Sequence, residues 1–491
     1  MGHDEIFEYL YNKLEFFQPI YAEGDDCFKV YDKKEKLEYR VFEYTHTQSS
    51  FLYNCFYKPF YESNLDSNII FGNKYVRDCS TKKGLNITRN IDLKKDKIYV
   101  TEYSLNPCPE KYFKEAFEKF IFSKRIILKA LRSRKMIIFI NFILEADWFG
   151  TPTKQCGNTN YFEVLQELYK KYKIPPESIV FFSSNLRGEE LDIHNQYFGK
   201  YTHWYDNFWE HETFRRMKGD VSGNDYTFEE HFNNLKNSKS DEIFLRMNRT
   251  PGPYRDMILY WSKKLNVDKY LKIEHLSLDF LNPQFCSELD EYFGYTLSSK
   301  DLKMGDIENI LDVVSYDSDI YESIKKQIPI KASKQEKEKG MVDWNQLVNE
   351  TIPHEVYRTT PLSYVVGSFP SNDNYVFLNM GVFNPIYYYH PLLLMSNAKT
   401  IEFLIKSEYK SFGFIFNENY DKMYDVRDRF YYSFKEMYKV IEMGKNKVLD
   451  IIYDNQEDLI FNRNKLIEND SITSFINKLY FHLMENYKSL L

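Results

Sequence analysis

The chain has 491 residues, enough for two to four domains at roughly 150 residues each, so a small fold that depends on covalent staples is excluded. Its 65 lysines and arginines against 72 aspartates and glutamates leave a formal net charge of −7, which rules out a basic field over the whole molecule and disfavours nucleic acid as a partner. Hydrophobic residues at 43% and charged residues at 28% are globular values and exclude wholesale disorder.

The compositional outlier is 42 Tyr and 40 Phe against 5 Trp, a usage that, with abundant Lys, Asn and Ile, follows an AT-rich genome and fills cores. Six cysteines, at positions 27, 55, 79, 108, 156 and 286, form no CxxC and read as reduced thiols in a cytosol. The opening Met1-Gly2-His3-Asp4-Glu5 lacks the basic-then-apolar layout of a signal peptide, and Ile6 breaks the myristoylation pattern. The longest apolar run, residues 136–144, is interrupted by Asn141 and falls far short of the roughly 20 residues that cross a bilayer. A cytoplasmic protein without a membrane span is expected.

Residues 1–110 alternate short aromatic and β-branched runs (39–44, 68–71, 98–103) with polar turns, which predicts strands with some helix. Over 110–131 apolar residues recur at helical spacing, from Phe113 and Phe117 through Ile127 and Leu131. That segment ends in Lys124, Arg125, Lys129, Arg132, Arg134 and Lys135, which a helix C-terminus accommodates through its dipole. The run 136–144 then reads as a buried strand ending in Glu145-Ala146-Asp147, followed by a helix over 161–173 and a strand over 178–184. Strand, loop, helix and strand make a βαβ unit, whose ligands gather at the carboxyl ends of the strands, where Glu145, Asp147 and Asn185 fall.

A polar stretch over 218–239 precedes a second α/β pattern. It opens with a strand over 242–247, continues through Asn248-Arg249 and a proline-rich turn, and enters a helix over 256–264. The charged run 331–340 predicts a solvated loop. Strands near 364–367 and 376–378, helices over 397–407 and 423–443, and a helical tail complete the chain. The expected domains are a mixed extension over 1–110, a Rossmann-like domain over 111–235, a second over 236–465, and a C-terminal helix over 466–491. Two Rossmann-like α/β domains facing a cleft is the economical architecture.

The most informative stretch is FLRMNRTPGPYRDMILYW, residues 244–261, where an apolar strand runs into Asn248-Arg249 and Arg255 opens a helix. Guanidinium and amide donors at a strand end beside a helix N-terminus suit phosphate or sugar hydroxyls. The stretch resembles the strand, Asn-Arg, Pro-rich turn, His-Arg and helix segment of glycosyltransferase-like proteins of bacteriophages, giant viruses and bacteria, themselves similar to the α-1,3-fucosyltransferases. In this chain the second basic residue is Gly252 and the His is Tyr254. A second resemblance, over 376–430, keeps Phe383, Pro385, Ile386, Pro391, Phe412, Glu418, Tyr420, Asp421 and Arg429.

That resemblance implies a GT-B-like fold and a metal-independent transfer from a nucleotide-diphosphate sugar to a glycan or other acceptor hydroxyl, with no further cofactor. It places the donor against Asn248, Arg249, Arg255, Glu418, Tyr420, Asp421 and Arg429; Arg249, Arg255 and Lys399 are the candidate replacements for the group's diphosphate-binding Lys, and Glu145 or Asp147, at a strand end, is the candidate base. The departures define a rival reading. The group's Thr-Glu-Lys triplet, whose Lys neutralises the donor diphosphate, is here Asn379-Met380-Gly381, and Val366-Gly367-Ser368 lacks the Glu found nearby in the group. A catalytically silent relative, a binding or structural protein of viral origin in a host cytoplasm, is the alternative. A transferase acting on modified DNA bases, using the basic cluster 124–135, is a third and is disfavoured by net charge. Asp317-Ser318-Asp319 matches a metal-binding Asp-x-Asp, but chance accounts for it in an acidic chain, and no metal is expected. His203 and His211 with Trp204 and Trp209 lack further ligands at zinc spacing. The run Tyr387-Tyr388-Tyr389-His390 is expected on one face of a buried strand or helix.

Overall fold

The structure, a computed structural model, describes residues 3–17, 27–32, 37–44, 86–105, 110–142, 161–183, 202–205, 226–248, 253–275, 317–328, 354–367, 376, 378, 380–468 and 471–487. The chain divides into two units, Met1–Val221 with Asp470–Leu491, and Ser222–Asn469.

In the first unit helix α1 (His3–Lys13) leads into β1 (Leu14–Phe17), and β2 (Cys27–Asp32) pairs antiparallel with β3 (Leu37–Tyr44). Strands β4 (Asn86–Thr88) and β5 (Ile98–Leu105) precede α2 (Glu110–Ser123), α3 (Arg125–Arg132), β6 (Met136–Phe142), α4 (Tyr161–Tyr172), β7 (Ile179–Ser183) and β8 (Thr202–Tyr205). All eight strands belong to one sheet, in which β5 to β8 run parallel in order. One edge of β5 is divided lengthwise: β1 pairs with its first residues from Ile98 to Val100, and β3 with Tyr103 to Leu105. Residues 1–110 therefore contribute strands to the same sheet as β6, and no second sheet begins at that point.

The apolar run behind β6 is continuous because its strand has parallel neighbours on both edges and is buried from Met136 to Ile140. The helix expected over 110–131 is two helices. Apolar positions 113, 117, 120 and 121 put residue 124 on the same face, so a straight helix would drive the Lys124 ammonium into the core. The chain instead takes Lys124 through an extended conformation, with φ −139°, and its ammonium reaches the carbonyl of Arg89 and the face of Phe17. After this break Ile127, Ala130 and Leu131 again face inward.

The C-terminal helix (Ser471–Asn486) belongs to the first unit rather than to the unit it follows in sequence. Phe475, Ile476, Leu479, Leu483 and Tyr487 lie in the same core as β1, β5, β6 and β7. Its His482 is 5% exposed, donates from Nε2 to the carbonyl of Glu177 at 3.0 Å and accepts at Nδ1 from Asn486 at 3.2 Å, an arrangement that fits only the neutral ring. Burial lowers its pKa to about 4, against a backbone hydrogen bond and the Glu177 charge that act to raise it.

The unfolded chain, with an ordinary histidine pKa near 6.5, binds the proton that the folded chain refuses, so this contribution is complete above about 6.5 and is lost as pH falls toward 4. The loss is about 3 kcal/mol. Urea unfolding of the first unit is expected to show that slope between pH 6.5 and 4, and His482→Gln to flatten it; an unchanged slope in the variant rules out His482 as its source.

The second unit is a four-stranded parallel sheet with helices. Helix α5 (Phe228–Asn237) starts at a capping box made by Thr227 and Glu230. Strand β9 (Phe244–Asn248), helix α6 (Pro253–Lys264), strand β10 (Leu271–His275), helices α7 (Ser318–Gln327) and α8 (His354–Thr359) and strand β11 (Leu362–Val366) follow. Helix α9 (Met380–Tyr387), strand β12 (Leu392–Met395) and helices α10 (Thr400–Lys406), α11 (Val426–Met443), α12 (Lys445–Asp454) and α13 (Gln456–Glu468) complete it. The strand order is β10-β9-β11-β12, so the chain adds β10 on one side of β9 and then crosses to the other for β11 and β12.

Three boundaries differ from expectation. Val376 and Leu378 are buried but not in a strand, and the edge strand is β12. The helix expected from 397 begins at Thr400, after Lys399 in the left-handed region with φ 67°. The helix expected from 423 begins at Val426, capped by Asp425. The run 387–390 is neither one strand face nor one helix face: Tyr387 ends α9, Tyr389 is left-handed at φ 63°, and buried His390 accepts from Ser363 and donates to the carbonyl of Tyr357. The charged run 331–340 and the aromatic run 68–71 lie outside the described residues. Among the described residues no helix is long and apolar enough to cross a membrane. The observed class is α/β, with parallel strands and flanking helices in both units.

Candidate functional site

In a parallel sheet whose strand order reverses, the crevice at the carboxyl ends of the two diverging strands is where ligands bind. In the second unit those strands are β9 and β11. Asn248 ends β9 in register with His275 of β10, and Arg249 lies outside the described residues. Helix α6 starts at Pro253, a residue suited to the first helical turn, and brings Arg255 back to the neighbouring strand. There the Arg255 guanidinium, 7% exposed, donates to the carbonyl of Val366 from Nη2 at 3.0 Å and from Nε at 3.3 Å. Burial lowers its pKa to about 10, and the nearby Asp256 carboxylate limits the fall.

The next strand end is in close contact. Gly367 donates to the carbonyl of Met395 at 2.8 Å, and a Cβ at Gly367 would stand 2.5 Å from Ser396 Oγ. A side chain at position 367 would require Ser396 to shift. The carbonyl of Ser396 in turn accepts from Arg429 Nε at 2.9 Å, and Arg429 Nη1 donates to the carbonyls of Met423 and Tyr424, each at 2.6 Å. The ring of Tyr254, the residue before Arg255, packs on Phe430, the residue after Arg429, at 5.2 Å. Arg255, Val366, Gly367, Ser396 and Arg429 thus form one continuous edge.

The remaining candidates gather at the outer side of β12. Asp421 Oδ2 accepts from the backbone of Ile401 at 3.0 Å and of Glu402 at 3.3 Å, so it caps α10 and not α11. Burial raises its pKa to about 7, opposed by those two N–H bonds and by Arg429. The carbonyl of Asp421 also accepts from the amide of Lys399 at 2.7 Å, while the Lys399 side chain is exposed. Tyr420, fully buried, donates to the carbonyl of Leu394 at 3.1 Å and accepts from its amide at 3.2 Å, occupying the open edge of β12. Glu418 accepts from Phe412 at 2.8 Å, and burial raises its pKa. Glu418, Tyr420, Asp421 and Arg429 each bind backbone groups of this unit.

Two site residues were not singled out in the sequence. Arg246, in the middle of β9, and Asp256, in α6, are both fully buried. Desolvation lowers the pKa of Arg246 to about 9, and the Asp256 charge works against that fall. Tyr364 of β11 feels the Arg246 charge and exchanges a 2.8 Å hydrogen bond with Ser433 of α11. The signal was present as one Arg inside the apolar strand FLRMN and one Asp ahead of MILYW. At and below these strand ends lie the guanidiniums of Arg246, Arg255 and Arg429, with the carboxylate of Asp256 acting on the first two and those of Asp421, Asp425 and Asp428 on the third.

Glu145 and Asp147 lie outside the described residues, just past the carboxyl end of β6 in the first unit. His211 is also outside, and His203 falls in β8. Asp317 is an N-cap, accepting from Asp319 and Ile320 at the start of α7. No group of three or more His, Cys, Asp or Glu side chains that could hold a metal occurs among the described residues. A cavity of about 590 Å3 lies at the opposite, amino-terminal edge of the second sheet, between Ile243, Tyr270, Tyr438 and Lys445, away from these candidates. Set against known protein families, curated proteins and solved structures, the chain matches none of them.

Proposed function

We propose that the second unit takes the diphosphate of a nucleotide sugar at the β9–β11 crevice and that the chain is a metal-independent glycosyltransferase of GT-B-like build. The observation that carries this reading is the buried Arg255 at the head of α6, placed at the reversal of strand order with Arg246 and Arg429 behind it. A guanidinium beside a helix N-terminus attracts an anion. Transfer would proceed as an inverting displacement. The acceptor hydroxyl loses its proton to a carboxylate base, its oxygen forms the new bond to the anomeric carbon, and the diphosphate departs with the electrons of the old one.

A specific observation favours a second reading, a binding or structural protein that no longer turns over a donor. The carboxylates of Glu418 and Asp421 and the guanidinium of Arg429 are engaged by backbone groups, and Asn379-Met380-Gly381 supplies no cation.

Thermal unfolding with millimolar GDP, UDP, CMP and TDP and their sugars separates the two. A micromolar site at that concentration stabilises by about 4 kcal/mol through mass action, a shift of several degrees. The transferase reading expects that shift with one nucleotide and its loss in Arg249→Ala; no shift with any of them leaves the second reading.

A further inference from the structure

We propose that the exposed face of α3 in the first unit, with the turns beside it, binds the backbone of a single-stranded nucleic acid. The net charge of −7 excludes a field over the whole surface, not a local one. Residues 89–97, 124–135 and 170–177 lead into β5, β6 and β7, which are adjacent in the sheet, and together hold thirteen basic residues against three acidic ones. Hydrogen bonds tie the three segments into one surface: Lys135 Nζ donates to the carbonyl of Lys95 at 2.9 Å, Lys124 Nζ to that of Arg89 at 3.4 Å, and Arg132 Nε to that of Tyr172 at 2.7 Å.

The three acids are already engaged. Asp96 pairs with Lys13 at 2.6 Å, Glu177 with Arg134, and Asp92 accepts from the amide of Lys94. Arg125, Lys129 and Arg132 are exposed at i, i+4 and i+7 on one face of α3, about 6 and about 4.5 Å apart along the axis, a spacing close to that of successive phosphates. Fold stability does not account for them all. Because the chain breaks at Lys124, Lys124 and Arg125 stand at the positive end of α3, which has no acidic residue in its first turn, and there the dipole opposes them.

The second, independent feature is aromatic. Phe122, 50% exposed, meets the Tyr172 ring edge-on at 5.2 Å, and the Tyr172 carbonyl is the acceptor for Arg132. The exposed Phe122 ring beside a row of cations, backed by the half-buried Tyr172 whose hydroxyl donates to Glu118, offers stacking to bases that are not already stacked in a duplex, the combination single-strand binders use. Arg125 and Arg132 add planar guanidiniums, which match phosphate better than ammonium does.

The test is fluorescence anisotropy of the full chain with labelled oligo-dT and oligo-U of about 20 nucleotides, a duplex of equal length, and vesicles of phosphatidylserine. With four phosphates neutralised, single-strand affinity is expected to fall about fiftyfold between roughly 50 and 200 mM salt. Arg125→Glu with Lys129→Glu is expected to weaken it at least tenfold at an unchanged melting temperature, and Phe122→Ala to weaken the single strands more than the duplex. Binding of either strand supports the proposal, and the tighter one distinguishes RNA from DNA. Absence of binding at low salt, binding indifferent to the charge reversal, preference for the duplex, or binding to vesicles alone would overturn it.

Discussion

A chain ending at residue 469 is expected to lose the fold of its first unit while the second keeps its own. The helix Ser471–Asn486 and the residue after it contribute Phe475, Ile476, Leu479, Leu483 and Tyr487 to the core around β5 and β6. Removing one large core side chain costs about 2–5 kcal/mol, so removing five costs about 10–25 kcal/mol, comparable to or above the roughly 5–15 kcal/mol by which a typical domain is stable. Hydrogen exchange read by mass spectrometry measures this directly. Amides of β5, β6 and β7 are expected to exchange as in an unfolded chain, and those of β9, β11 and β12 to stay protected. Leu479→Ala, 0% exposed in the full chain, is expected to cost about 2–5 kcal/mol in urea unfolding. Retained protection of β6 in the shortened chain would show that the first unit closes its core without the helix.

Arg246→Leu is expected to destabilise the second unit by about 3–5 kcal/mol, because it leaves the fully buried Asp256 carboxylate without its charge partner in β9. Arg246→Leu combined with Asp256→Leu is expected to recover most of that loss, since apolar side chains of similar volume in place of two buried opposite charges are often neutral. The readout is a double-mutant cycle from urea unfolding, with a coupling of more than about 2 kcal/mol expected. A coupling near zero would mean that Asp256 is held by Arg255 or by other groups and that Arg246 contributes only its volume. The same cycle bears on function. If the pair supports the crevice at Arg255, the double variant remains folded yet binds nucleotide more weakly.

Much of the local structure was legible because it follows from periodicity and side-chain chemistry over a few residues. The continuous apolar run at 136–144 reads as a strand with parallel neighbours, and β6 is that strand. The succession from FLRMN through Pro253 to Arg255 reads as a strand entering a helix, and β9 and α6 follow it. The break at Lys124 was hidden, since apolar spacing over 110–131 is continuous on paper and only the depth of the core shows that position 124 cannot hold an ammonium. The cap that Asp421 provides was hidden as well: the short turn Glu418–Lys422 folds back 20 residues to reach Ile401, which no local pattern encodes.

By itself the sequence determined the α/β class, the strand that ends at Asn248, the helix that carries Arg255, and the concentration of cations between Lys124 and Lys135, because each is a property of neighbours along the chain. Contacts between distant segments bring residues 1–110 into the sheet of β6, close the first unit with the last helix, and join Arg255 to Val366 across 111 positions. They also set Glu418, Tyr420, Asp421 and Arg429 against backbone groups. The physical reason is the same in each case. Strand order, chain return and the pairing of buried polar groups minimise the free energy of the whole packed unit, and they depend on contacts between residues far apart in sequence.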